Sequence, residues 1–221
     1  MEISNEKLRT ALLSLVAFVA AVTVHEFGHA FVADRLGDRL PRSQGRLTLS
    51  PRAHIDLVGT IIVPLLAALA TMPLLIAWGK PVYTNPEAMT RRIPRTVANL
   101  LVSVAGPLMN LLMAAVTSVG LLVAARTGYL SPGVAKTVIH FVVVLNISLL
   151  FFNLLPIPPL DGRSLLPFML PRSAHGVLPV LDRYGVLFLI ALVMLGVGRV
   201  VMIPALAWGN ALRGALGFGS A

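Results

Sequence analysis

The stretch Leu12-Leu13-Ser14-Leu15-Val16-Ala17-Phe18-Val19-Ala20-Ala21-Val22-Thr23-Val24-His25-Glu26-Phe27-Gly28-His29-Ala30-Phe31-Val32-Ala33 decides how this chain is read. The apolar run from Ala11 to Ala33 is long enough to cross a bilayer as a helix. Inside it lie His25, Glu26 and His29, which lipid disfavours. At 3.6 residues per turn, His25 and His29 share one helical face, one turn apart. In the H-E-x-x-H pattern two such imidazoles share one zinc ion, and the intervening glutamate stands beside it as a general base. Ionisable side chains at membrane depth are costly and mark functional sites. Metal-assisted hydrolysis within a membrane is the expectation that follows.

Composition points the same way. Of 221 residues, 57% are hydrophobic and only 12% charged, and the mean hydropathy is +0.85. These values indicate a polytopic membrane protein. The net charge of +9 reads as arginine anchors at lipid headgroups. A nucleic-acid surface would need a basic face with stacking aromatics, and the sequence offers none, so no nucleic-acid partner is expected. Cysteine is absent, so any metal must be held by histidine and carboxylate. The first apolar run exceeds a signal-peptide core and carries the metal motif, so it reads as a retained span.

Five apolar segments are visible: about Thr10 to Ala33, Leu57 to Trp78, Val97 to Ala125, Val134 to Leu155 and Tyr184 to Ala207. The second contains Gly59, Pro64 and Pro73, and is the one least suited to cross as a straight helix. The polar stretches between them hold two short β-like pieces, Leu47-Thr48-Leu49 and Pro81-Val82-Tyr83-Thr84. The expected fold is an all-α polytopic membrane protein. It has four to five transmembrane helices, a re-entrant segment and short β-like loops near the active site. Residues 1–221 form one membrane-embedded domain, with a core over about 10–170 and a C-terminal helix over about 184–207.

Two histidines leave zinc short of the three protein ligands that catalytic sites commonly use. Most of the acidic residues fall in evident loops or at the N-terminus. Asp161 differs, because it follows an apolar helix and three prolines and precedes Gly162. It reads either as a metal ligand or as the N-cap of a helix beginning at Arg163. Asn153 and Asn110 sit in apolar segments where an amide needs a partner. They either hydrogen-bond substrate backbone or a developing oxyanion, or join helices. His54 and Asp56 form an H-x-D pair that either lines a water path or lies at headgroup level.

The sequence Asn153-Leu154-Leu155-Pro156-Ile157-Pro158-Pro159-Leu160-Asp161-Gly162, taken with His25-Glu26-Phe27-Gly28-His29, resembles the site-2 protease family of intramembrane zinc metalloproteases. Gly106 and Asn110 match that family's G-x-x-x-N. The resemblance covers roughly residues 10–170, with the motifs in the family's order. It implies one zinc ion per chain held by His25, His29 and Asp161, with Glu26 activating water. It also implies a membrane-protein or peptide substrate in a lipid bilayer. A zinc-binding membrane protein without proteolysis, either a metal carrier or a substrate-binding pseudoprotease, is the alternative.

Asp161 can meet His25 and His29 only if the first and fourth segments end on the same side. The second segment must then enter and return rather than cross. In that arrangement twelve Lys and Arg residues share the side of loops 34–56, 79–96 and 161–183, against six opposite. The positive-inside rule therefore places the metal nearer the cytoplasm of a prokaryotic cell membrane.

Overall fold

A computed structural model describes residues 4–69 and 77–218. Helix α1 spans Asn5–Arg35. The Ser4 hydroxyl accepts from the Lys7 amide at 3.3 Å, and Glu6 and Arg35 complement the helix dipole at its two ends. Helix α2 spans Arg95–Arg126. A five-residue link, Thr127 to Ser131, leads into α3, Pro132–Asn153, which winds as a π-helix over Ile139–Val144. Helices α4, Leu178–Met194, and α5, Val197–Ala215, close the chain.

Small residues set the packing of α1 on α2. Ala21, Ala30 and Ala33 are buried, as are Ala98, Ala105 and Gly106, which brings the two backbones close. The helices run antiparallel: Ala33 packs with Ala98 and Val102, while the Ala21 carbonyl meets Asn110. Helix α3 returns alongside α2. A second core joins α2, α3 and α5 through Ala114, Leu121, Val143, Ile147, Ala205 and Leu212. The outward faces carry exposed Val16, Leu112, Val116, Val119 and Val123, an apolar surface suited to lipid. Among the described residues, four helices are long and apolar enough to cross a membrane: Asn5–Arg35, Arg95–Arg126, Pro132–Asn153 and Arg172–Met194.

The two described ends of the second apolar segment meet. A π-turn over Leu57–Ile62 leads into the helix Val63–Leu69. The Asp56 carboxylate caps this turn, accepting from the Gly59 amide at 2.7 Å. The Trp78 amide then donates to the Gly59 carbonyl at 3.2 Å, and the Lys80 amide to that of His54 at 2.8 Å. Thr60 Oγ1 donates to the Trp78 carbonyl at 2.8 Å. The two ends of the segment therefore lie side by side, as the re-entrant arrangement requires. Residues 70–76, with Pro73, lie outside the described residues. Helices α1 and α3 consequently end on the same side.

Two expectations are corrected. The C-terminal helix read over 184–207 is two helices, because Gly196 adopts φ +88°. This left-handed position ends α4, with the Gly196 amide closing on the Val193 carbonyl at 3.0 Å. No strand forms among the described residues. Residues 47–49 and 81–84 are loop backbone, and side chains take the Thr48 and Pro81 carbonyls and the Val82 amide. The Arg46 guanidinium donates to the carbonyls of Ala53, Lys80 at 3.1 Å and Pro81 at 3.0 Å. His54 Nε2 meets the Thr48 carbonyl at 2.8 Å.

Candidate metal centre

His25 and His29 leave α1 on the face packed against α2, and Asp161 reaches them from the turn after α3. His25 Nε2 and His29 Nε2 are 3.1 Å apart. Asp161 Oδ2 stands 3.1 Å from the first and 3.4 Å from the second. Two ligands of a tetrahedral zinc at about 2.0–2.1 Å are themselves about 3.3 Å apart, so the triangle has the edges such an ion needs.

The hydrogen bonds behind the imidazoles bear on what the triangle can hold. His25 Nδ1 lies 2.7 Å from Asn110 Oδ1, and His29 Nδ1 lies 2.7 Å from the Val102 carbonyl. Both partners only accept, so both Nδ1 atoms carry hydrogen and each neutral ring presents a lone pair at Nε2. Asp161 Oδ2 is buried and finds no hydrogen-bond donor among the described residues. With both rings neutral, three acceptors converge on one point, an arrangement that a divalent ion would hold together. Donors of this N, N, O type suit zinc.

Local sequence makes this approach possible. A Cβ on Gly106 would lie 2.4 Å from His29 Nε2 and 2.8 Å from His25 Cε1, so only glycine lets the imidazoles pass this turn of α2. Pro107, inside the helix, has no amide to offer the Ser103 carbonyl, one residue beyond the carbonyl that holds His29. Asp161 is the first residue of a short 3-10 turn, Asp161–Leu165, whose N-cap position is held by Leu160. The N-cap alternative therefore does not describe it. The backbone reaches this turn through a cis Pro158–Pro159 peptide.

Glu26 lies beside the triangle, half-buried, and its Oε2 accepts from the Val82 amide at 3.1 Å. The loop after the re-entrant segment thus drapes over the glutamate. A cavity of 860 Å³ leads from His25, Glu26, His29 and Asp161 between α1, α3, α4 and α5. Phe18, Val22, Phe152, Leu189 and Val193 give it an apolar lining. A second cavity, of 350 Å³, also reaches Asp161 and is lined by polar groups, among them Thr96, Asn99, Ser103 and Ser164.

The remaining sequence-derived residues divide. Asn153 lines the large cavity, and its amide donates to the Leu149 carbonyl at 3.0 Å, leaving its carbonyl oxygen for a ligand. Asn110 is fully buried, and both of its amide hydrogens are committed, to the Ala21 carbonyl at 3.1 Å and Asn146 Oδ1 at 2.8 Å. It therefore orients His25 and has no donor left for a substrate. His54 is fully buried beneath the loop and is not among the residues lining either cavity. Burial holds its pKa below the ordinary histidine value. Asp56 caps the re-entrant turn and makes no pair with it.

Two residues escaped the sequence reading. Asn146, fully buried on α3, supports Asn110. Its signal was available: it precedes Asn153 by two helical turns, and an amide in so apolar a helix needs a partner. Arg46, buried and bonded to no carboxylate among the described residues, carried no local signal.

Comparison with known proteins accords with this geometry. The family model described as Peptidase family M50 matches residues 13–135 and 124–197. The chain is 32% identical over 200 residues to "Putative zinc metalloprotease YwhC" of Bacillus subtilis, covering 89% of this chain and 86% of the relative. It is 34% identical over 185 residues to "Putative zinc metalloprotease Rip2" of Mycobacterium tuberculosis, covering 82% and 66%. The protein of that name from Mycolicibacterium smegmatis is 33% identical over 188 residues, covering 83% and 66%. No solved structure matches the chain.

Proposed function

Because this chain belongs to peptidase family M50, the site-2 protease family, we propose that it is an intramembrane zinc metalloprotease. It hydrolyses peptide bonds in or near the transmembrane segments of membrane-protein substrates. The observation that carries this reading is the convergence of three acceptor atoms at 3.1–3.4 Å, two of them from a helix long and apolar enough to cross a membrane, beside Glu26.

His25, His29 and Asp161 hold the zinc ion, one per chain. Zinc, when bound, polarises a peptide carbonyl and lowers the pKa of water toward about 7. Glu26 takes the proton of the attacking water and returns it to the leaving amine. The Val82 amide keeps the Glu26 carboxylate in place. The large cavity admits the substrate from the membrane. A helical substrate has its carbonyls bonded within the helix, so it unwinds locally to present one. Asn153 offers its free carbonyl oxygen to the unwound backbone.

The protein acts as one membrane-embedded domain over residues 1–221 of a bacterial cell membrane, with the metal centre toward the cytoplasm. The bacterial origin of the relatives supports the membrane assignment. The arginine-rich loops beside the metal support the orientation.

Glu26→Gln tests the proposal, with a single-pass membrane protein as substrate and zinc content measured in parallel. Cleavage falls by at least about 10²-fold while zinc stays bound. Cleavage at the parental rate would remove Glu26 as the general base and defeat this reading.

A further inference from the structure

Asn146 is a buried carboxamide for which the proposed reaction has no direct use. It does not touch the metal triangle, and it is not among the residues lining either cavity. Its own bonds are directional, however. Its Nδ2 donates to the Val142 carbonyl at 2.8 Å, within the π-helical part of α3. That carbonyl can only accept, so the amide nitrogen of Asn146 faces it and the Oδ1 faces α2. There Oδ1 takes a hydrogen from Asn110 Nδ2 at 2.8 Å. The other hydrogen of Asn110 goes to the Ala21 carbonyl at 3.1 Å. With its nitrogen fixed on that side, Asn110 turns its Oδ1 toward His25 Nδ1 at 2.7 Å.

From this chain we infer that Asn146 is a positioning residue that selects the tautomer of His25. The sequence of bonds runs Val142 carbonyl, Asn146, Asn110, His25, and the backbone carbonyls of Val142 and Ala21 set its direction. An Asn110 amide turned the other way would present N–H to Nδ1. The proton of a neutral His25 would then sit on Nε2, and a protonated Nε2 cannot bind a metal. Asn146 thus prevents a rotation of Asn110 that would disable the ligand. The relay also joins α1, α2 and α3 at one depth. The inference rests on the metal-binding reading of His25.

The test compares parental protein, Asn146→Leu and Asn146→Asp in detergent micelles. Two readouts serve: 15N chemical shifts of labelled histidine in the metal-free protein, and Co2+ titration followed by its visible spectrum. Parental protein shows His25 protonated at Nδ1. Asn146→Leu, which keeps the apolar volume but removes the acceptor, mixes the two tautomers and weakens Co2+ binding 10- to 100-fold. Asn146→Asp keeps a neutral buried carboxyl that donates to Val142 and accepts from Asn110, and retains parental shifts and binding. If Asn146→Leu does not fold, Asn146→Asp decides: loss of binding in that variant overturns the inference. Parental tautomer and affinity in Asn146→Leu also overturn it. Failure of parental protein to bind Co2+ would defeat the metal reading itself, while the 15N shifts would still judge the tautomer claim.

Discussion

Gly106 lies so close to His29 that a methyl group on its Cα would stand 2.4 Å from the Nε2 atom. The G-x-x-x-N pattern of α2 therefore has two parts with separate physical roles. The glycine leaves room for the imidazoles, and the asparagine orients one of them. Gly106→Ala should displace the histidines and lower zinc affinity at least tenfold. Gly120→Ala, on the same helix with open space around its Cα, should leave zinc bound and add up to about 1 kcal/mol of helix stability. Zinc titration and thermal unfolding of both variants check the contrast.

Arg46 ties the first loop to the strip that covers Glu26 by donating to the carbonyls of Ala53, Lys80 and Pro81. Removing it leaves buried acceptors without a donor, so Arg46→Met should cost about 2–4 kcal/mol of stability. The metal ligands are untouched by this change. Zinc content should hold while cleavage falls, because Val82 no longer fixes the Glu26 carboxylate. Equal loss of zinc and cleavage would show that Arg46 supports the whole fold instead.

His54 supplies a pH dependence. Burial lowers its pKa; the Thr48 carbonyl and the Glu26 charge oppose that shift, and Arg46 adds to it. With the folded-state pKa below the unfolded value of about 6.5, the unfolded chain takes up the proton first as pH falls. This contribution to stability is complete above about pH 6.5 and declines below it. Thermal unfolding at pH 7.5 and pH 5.5 should show a larger drop in parental protein than in His54→Gln. An identical drop in both would remove His54 as the cause.

The re-entrant segment predicts which loops share a side. The chain has no native cysteine, so single cysteines report cleanly. Ser43→Cys and Glu87→Cys should react with an impermeant reagent from one side, the cytoplasm, and Ser131→Cys from the other. Labelling of positions 43 and 87 from opposite sides would mean that residues 57–78 cross the membrane.

Much of this was legible because it is local. The four-residue spacing of His25 and His29 fixes a shared helix face without knowledge of the fold. The apolar runs predicted α1, α2 and α3 to within a few residues. Asp161 was reachable from its motif and from the cost of a carboxylate near lipid. What escaped depends on partners distant in sequence. Asn110 was left between a substrate contact and a helix-joining role because its amide partner, Asn146, is 36 residues away. Segments 47–49 and 81–84 have strand-forming residues, but Arg46 takes the Pro81 carbonyl and His54 the Thr48 carbonyl, and no ladder forms among the described residues. The apolar run over 184–207 hides its break, since only the left-handed backbone at Gly196 ends α4.

Zinc X-ray absorption on purified protein, with metal content measured alongside, tests the central claim most directly. Parental protein should hold one zinc per chain, with two imidazole nitrogens and carboxylate oxygen at about 2.0–2.2 Å. Asp161→Ala should lose the carboxylate signal and most of the metal. A spectrum unchanged by Asp161→Ala, or parental protein without zinc, would contradict the account.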